Sequence, residues 1–167
     1  MTKPPFGRRR LKNQNYGITP EDPMRRSLLL VPMMIMASTA FAQEASVKAK
    51  LEAIDKVAQT CIDRSDATND IFQCNVERFD AADALLNEVY KEIVNPLKAD
   101  ASMDAASAET LKRTVAAQRA WVAFRDAECE RVSAEMLNGT FEKVMWMGCR
   151  AELTSKRVEQ LAVSLKQ

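Results

Sequence analysis

The stretch Gln118-Arg119-Ala120-Trp121-Val122-Ala123-Phe124-Arg125-Asp126-Ala127-Glu128-Cys129 constrains this chain more than any other. It holds no Gly or Pro and mixes good helix formers with large apolar groups, so it predicts the middle of a helix from about Ala106 to Leu137. At about 100° per residue, Leu111, Val115, Val122, Cys129, Val132 and Met136 share one stripe, with Gln118 and Arg125 in its midst. Burying a guanidinium without a carboxylate costs several kcal/mol, on the order of the desolvation of one ion. Another segment must therefore bring an acid to this face, unless Arg125 snorkels to solvent.

The cysteines set a second constraint. Ahead of them, Arg25-Arg26, the apolar run Ser27 to Met36 and Ala40-Phe41-Ala42 have the layout of a secretory signal peptide, with cleavage expected after Ala42 and the functional start at Met24. The apolar run is too short for a permanent span. The expected organisation is residues 1–42 as leader and residues 43–167 as one helical domain. Residues 43–167 keep 17 Lys and Arg against 21 Asp and Glu, a net charge of −4. An acidic exported product fits a basic protein partner and disfavours nucleic acid or an anionic membrane. No Cys follows the cleavage point as a lipid anchor requires, so a periplasmic or secreted protein with no membrane span is expected.

All four cysteines, Cys61, Cys74, Cys129 and Cys149, lie in that domain, and an even count in an exported chain predicts two disulfides. Asn138-Gly139-Thr140 is the sharp breaker between two helical patterns, and Cys129 and Cys149 are equally distant from Gly139. In a helix hairpin this places them at one level. Cys129–Cys149 is favoured, which leaves Cys61–Cys74.

The remaining pattern predicts an all-α fold: a small antiparallel helical bundle of three main helices plus a short N-terminal helix. The short helix runs from Ser46 to about Thr60, with Val47, Leu51, Ile54 and Ala58 inward. Asp70 with Gln73 resembles a capping box, so the next helix is expected to start near Ile71. Its stripe is Phe79, Leu86, Tyr90, Val94 and Leu97, and Asn95-Pro96 should end or kink it. Lys98 to Ser107 reads as a connection. The last helix spans about Phe141 to Leu165, with Met145, Trp146, Cys149 and Leu153 inward and a drift through Arg157 to Leu161. If the connection centres near Asp104, packing sets Asp83 level with Arg125 and Tyr90 level with Gln118. Asp83 is then the required acid.

These residues resemble a known family. Cys74, Phe79, Asp83, Leu86, Asn87 and Tyr90, then the block Gln118-Arg119-Ala120-Trp121 with Phe124-Arg125-Asp126 and Cys129, then Cys149, Leu153, Thr154, Arg157 and Leu161 are similar to the lysozyme inhibitor LprI-like family of bacterial envelope proteins. The resemblance runs from Cys61 to about Leu161. It implies an exported, mostly helical, disulfide-bonded domain that acts as a lysozyme inhibitor.

Catalytic chemistry finds little footing. With no His, Ser/His and Cys/His nucleophile systems are excluded. Asp126 and Glu128 are two apart and diverge on a helix, so they read as solvated charge. The cysteine spacing is not that of a zinc site, no phosphate-binding glycine loop occurs, and Met136, Met145 and Met147 sit at packing positions. No enzyme and no cofactor are expected. The leading reading is a non-enzymatic inhibitor or binder of a basic envelope-attacking enzyme; the alternative is a periplasmic structural or adaptor module. The candidate contact surface is the loop bearing Asp63, Asp66 and Asp70, held by Cys61–Cys74.

Overall fold

The computed structural model describes residues 31–165, with side chains from Ala42 onward. The chain divides into two units, Met1–Met34 and Ile35–Gln167. Of the first, only residues 31–34 are described, as helix. The expected start at Met24 and the residues before it lie outside the described part.

The elements are α1 (Val31–Asp63), α2 (Thr68–Asp100), α3 (Ala105–Ser133), a 3-10 turn (Ala134–Met136) and α4 (Glu142–Ser164). No strand occurs among the described residues. The expected short leading helix is a correction, because α1 is 33 residues long and runs through Ala42 without a break. Nothing between Met33 and Ser46 carries a Gly or Pro to stop it.

Side chains join α1 to α2 at successive levels. Gln43 donates to Glu92, Lys50 Nζ donates to Glu88 Oε1 at 2.6 Å, and Arg78 Nε donates to Asp55 Oδ1 at 2.8 Å. The core sits between these helices and α4, where Val47, Leu51, Leu85, Leu86, Val89, Val158 and Ala162 are buried together. Ile54 and Trp121 pack on its edge.

Several boundaries differ from expectation. α2 starts at Thr68 after Ala67, which supplies no side-chain cap, so the Asp70–Gln73 capping box does not form. Asn95-Pro96 does not end α2, which continues to Asp100. Proline at this point forfeits a single N–H bond one turn from the helix end, and Ala101 N–H closes that turn on Leu97 O at 3.0 Å. The connection shrinks from Lys98–Ser107 to residues 101–104, since its alanines favour helix on both sides. Asp104 caps α3 instead, accepting from Ala106 N at 3.1 Å and Ser107 N at 2.9 Å.

At its other end α3 stops at Ser133 rather than Leu137 and tightens into the 3-10 turn. Asn138 takes the left-handed conformation at φ 63, which Asn tolerates better than most residues. Gly139 is required for a different reason. A Cβ there would lie 2.9 Å from Met136 O.

The inward faces of α3 and α4 also need correction. On α3 the buried residues are Arg125, Cys129 and Ser133, while Leu111, Val115, Val122 and Val132 are half-buried and Met136 is exposed. On α4 the buried set is Val144, Met147, Ala151, Thr154, Ser155, Val158 and Ala162, and Met145, Trp146, Cys149 and Leu153 flank it. The expected stripes follow the periodicity of large apolar residues, but α4 packs against both α2 and α3, and small residues let helix backbones approach. Ala82 on α2 and Ala151 on α4 are accordingly fully buried.

Gly148 lies inside α4, and a Cβ there would meet the Asn75 side chain at an ordinary 3.5 Å. Gly148→Ala should therefore raise stability by about 0.5–1 kcal/mol through helix propensity alone. Urea unfolding checks this, and a loss of stability would mean that Asn75 cannot yield.

Candidate functional site

Three arginines from α3 and α4 interleave with three aromatic rings. Arg157 lies over Trp121 (5.6 Å from guanidinium carbon to ring centroid), Arg125 over Trp121 (5.3 Å) and Phe79 (5.2 Å), and Arg150 over Phe79 (4.3 Å) and Trp146 (4.6 Å). The result is a continuous ladder with α2, α3 and α4 each supplying rungs. Its periodicities are helical. Gln118, Trp121 and Arg125 fall at three- and four-residue steps on α3, while Arg150 and Arg157 are seven apart on α4.

Arg125 is the centre of the ladder. Its side chain is 6 % exposed, whereas those of Asp83 and Asp126 are 39 % and 43 % exposed. Arg125 Nε donates to Asp126 Oδ1 at 2.9 Å, Nη1 lies 3.6 Å from Asp83 Oδ1, and Nη1 donates to Thr154 Oγ1 at 3.4 Å. Asp83 is itself held by Asn87, whose Nδ2 donates to its Oδ2 at 3.0 Å. Asp126 Oδ1 also lies 3.4 Å from Arg150 Nε, close in charge but not aligned as a hydrogen bond.

Two acids thus face three guanidiniums, and the surplus positive charge resides on Arg157. Its Nε donates to Gln118 Oε1 at 3.1 Å and its Nη1 to Gln160 Oε1 at 3.2 Å, both neutral acceptors. Burial lowers its pKa.

Of the residues singled out from sequence, the structure brings Asp83, Asn87, Trp121, Arg125 and Asp126 into one network, with Gln118 and Arg157 at its end. The side-chain partner of Gln118 is Arg157. Tyr90 is half-buried on α2, and Arg119 is exposed. The disulfides are Cys61–Cys74 and Cys129–Cys149, with Cα separations of 5.8 and 5.5 Å. Asp63, Asp66 and Asp70 are exposed at the α1–α2 loop, and Asp63 accepts from Gln59.

Sequence reasoning missed Arg78, Arg150 and the roles of Phe79 and Trp146. Arg78 joins three helices, donating to Asp55 on α1 and through Nη2 to Glu152 Oε2 on α4 at 2.9 Å. Burial alone would lower its pKa, but the two carboxylates outweigh that and leave it raised. Glu152 is correspondingly held below the usual carboxylate range, chiefly by Arg78. The seven-residue step from Arg150 to Arg157 was a legible signal for the ladder. Arg78 carried none, since its partners lie 23 and 74 residues away.

The ladder locks helices together. Its guanidiniums and carboxylates are engaged with one another and with the rings, so it orients these groups across three helices. Among the described residues no cluster of three His, Cys, Asp or Glu side chains is arranged to hold a metal, and no helix is long and apolar enough to cross a membrane.

The residues that build this network lie within the segment shared with known proteins. The chain is 38% identical over 96 residues to the uncharacterized protein R02472 of Rhizobium meliloti (strain 1021), covering 55% of this chain and 69% of that protein. It is 26% identical over 144 residues to the uncharacterized protein YecT of Escherichia coli (strain K12), covering 80% of this chain and 87% of that one. No solved structure matches it. The pattern of the family described as lysozyme inhibitor LprI matches residues 61–161, more than half of the chain and the span that holds both disulfides and the whole ladder, so this protein belongs to the LprI family.

Proposed function

We propose that this chain is an exported antiparallel helical protein of the periplasm or secreted fraction, cut after Ala42, that inhibits lysozyme or binds another basic enzyme attacking the envelope. Membership of the LprI family over residues 61–161 carries the reading. The net charge of −4 on residues 43–167 supports it, because lysozyme-like targets are basic and opposite charge speeds and orients association. Two disulfides suit an oxidising compartment. The protein acts by binding, without chemistry of its own.

A second reading, an envelope adaptor that inhibits nothing, draws on one observation. The residues that carry the family pattern are engaged in the Arg125 ladder, so they specify the fold more directly than a target.

The test is a titration of purified residues 43–167 into a lysozyme turnover assay. Turnover should fall in proportion to added protein and stop near equivalence. Full turnover at a large excess would defeat the inhibitor and leave the adaptor, which a pull-down from an envelope fraction would then reveal.

A further inference from the structure

We propose that the disulfide-clamped end of the bundle, where the α1–α2 loop meets the α3–α4 turn, is the surface that docks a basic protein. The inference rests on the binding function proposed above and names its contact face. Lys143 Nζ donates to Asn69 Oδ1 at 2.9 Å and sits over Phe72 at 5.0 Å, which joins the two loops at one end. Between them opens a groove of about 830 Å³, bordered by Thr68 and Asn69 on one side and by Glu130, Leu137, Thr140 and Trp146 on the other.

Leu137, which borders the groove, stands exposed together with Met136 and Phe141 within six residues of the same turn. Single exposed apolar groups are ordinary, but a cluster beside a groove marks a contact surface. The turn that displays them is rigid. Glu142 Oε2 accepts from Asn138 N at 2.8 Å, and Cys129–Cys149 ties the helices below it. Cys61–Cys74 fixes the opposite loop in the same way. A preorganised surface loses little entropy on binding.

Charge selects the occupant. Two helix C-termini and two N-termini meet here, so their dipoles offset and side chains decide the sign. Arg131 is paired with Glu128 and Glu135, whereas Lys143 bonds the neutral Asn69 and keeps its charge. Glu130, Asp66 and Asp70 are exposed, and their carboxylates enter no ion pair among the described residues, three acids against the exposed cations Arg64 and Lys143. An apolar rim around free carboxylates fits a partner that presents lysine or arginine beside apolar surface.

The experiment measures binding of hen-type lysozyme to the wild-type protein, to Leu137→Arg, to Glu130→Lys and to the control Met103→Arg. Leu137 and Met103 are 65 % and 78 % exposed, and Met103 lies in the loop at the far end of α2 and α3. Each variant at the groove should weaken binding about tenfold or more, in line with a central contact, while the control stays within about twofold. Hydrogen exchange on the wild-type complex gives a second readout that needs no variant. Protection of residues 64–70 and 134–141 supports the inference. Tight binding with unchanged variants, or protection elsewhere, overturns this surface while the proposed function stands. No binding of lysozyme at all overturns the inference together with the lysozyme-inhibitor reading. If the wild-type chain instead dimerises through this end and Leu137→Arg makes it monomeric without affecting lysozyme, the face belongs to self-association and the inference fails.

Discussion

Arg125→Ala should destabilise the protein by about 3 kcal/mol, the lower end of the range for breaking a buried ion pair. The full range does not apply, because Asp83 and Asp126 sit at the rim with side chains 39 % and 43 % exposed and regain water once the guanidinium is gone. What is lost outright is the packing of a nearly buried side chain over Trp121 and Phe79, each contact contributing on the order of 0.5–1 kcal/mol. The acids should behave differently from the arginine. Asp83→Asn leaves Asp126 bonded to Arg125 at 2.9 Å, so about 1 kcal/mol is expected. Arg125→Met fills most of the same space without a charge and should recover more than half of the alanine loss. Chemical denaturation with the disulfides intact decides this, reading the shift in midpoint at constant slope. Equal losses for Arg125→Ala and Asp83→Asn would show that the ladder depends on the Asp83 pair alone.

Removing Cys129–Cys149 by paired alanines should cost roughly 3 kcal/mol by the chain-entropy model for its separation of 20 residues. The same model gives Cys61–Cys74, with a separation of 13, nearly the same value, again roughly 3 kcal/mol. The Cys129–Cys149 loss should nevertheless be the more damaging. α3 buries only Arg125, Cys129 and Ser133, so little apolar burial holds it once the bond is gone, and Cys129 leaves a void where its side chain was fully enclosed. α1 and α2 keep Val47, Leu51, Leu85 and Val89 in the core without Cys61–Cys74. Thermal unfolding of the two double variants, compared by midpoint, tests the order. A larger loss from the Cys61–Cys74 variant would mean that the ladder alone anchors α3.

In the proposed reading the ladder holds the fold and the groove end makes the contact. The ladder takes up Phe79, Asp83, Trp121, Arg125, Asp126 and Arg157 among the residues that carry the resemblance and ties α2, α3 and α4 together. The groove end carries the features that suit recognition, and it lies on positions with no distinctive spacing. Family membership therefore says more about how this chain holds its shape than about what it binds.

The sequence by itself determined that the chain is helical, that its cysteines pair as Cys61–Cys74 and Cys129–Cys149, and that Arg125 needs an acid from elsewhere. These follow from short-range physics. Residue periodicity, the scarcity of helix breakers and equal distances from Gly139 are local quantities, and the cost of a buried charge is the same wherever its partner lies. The buried face of α1, with Val47, Leu51 and Ala58, was legible in its periodicity, but only the tertiary structure decided the most deeply buried positions of α3 and α4. α4 lies against both α2 and α3, so its most enclosed positions are small residues such as Ala151 and Thr154, which no ranking by side-chain size selects. Tertiary structure likewise brought Arg157 to Gln118 and drew Arg78 into contact with residues on two other helices. Those pairings depend on rotation and register between helices, quantities that a one-dimensional pattern does not contain.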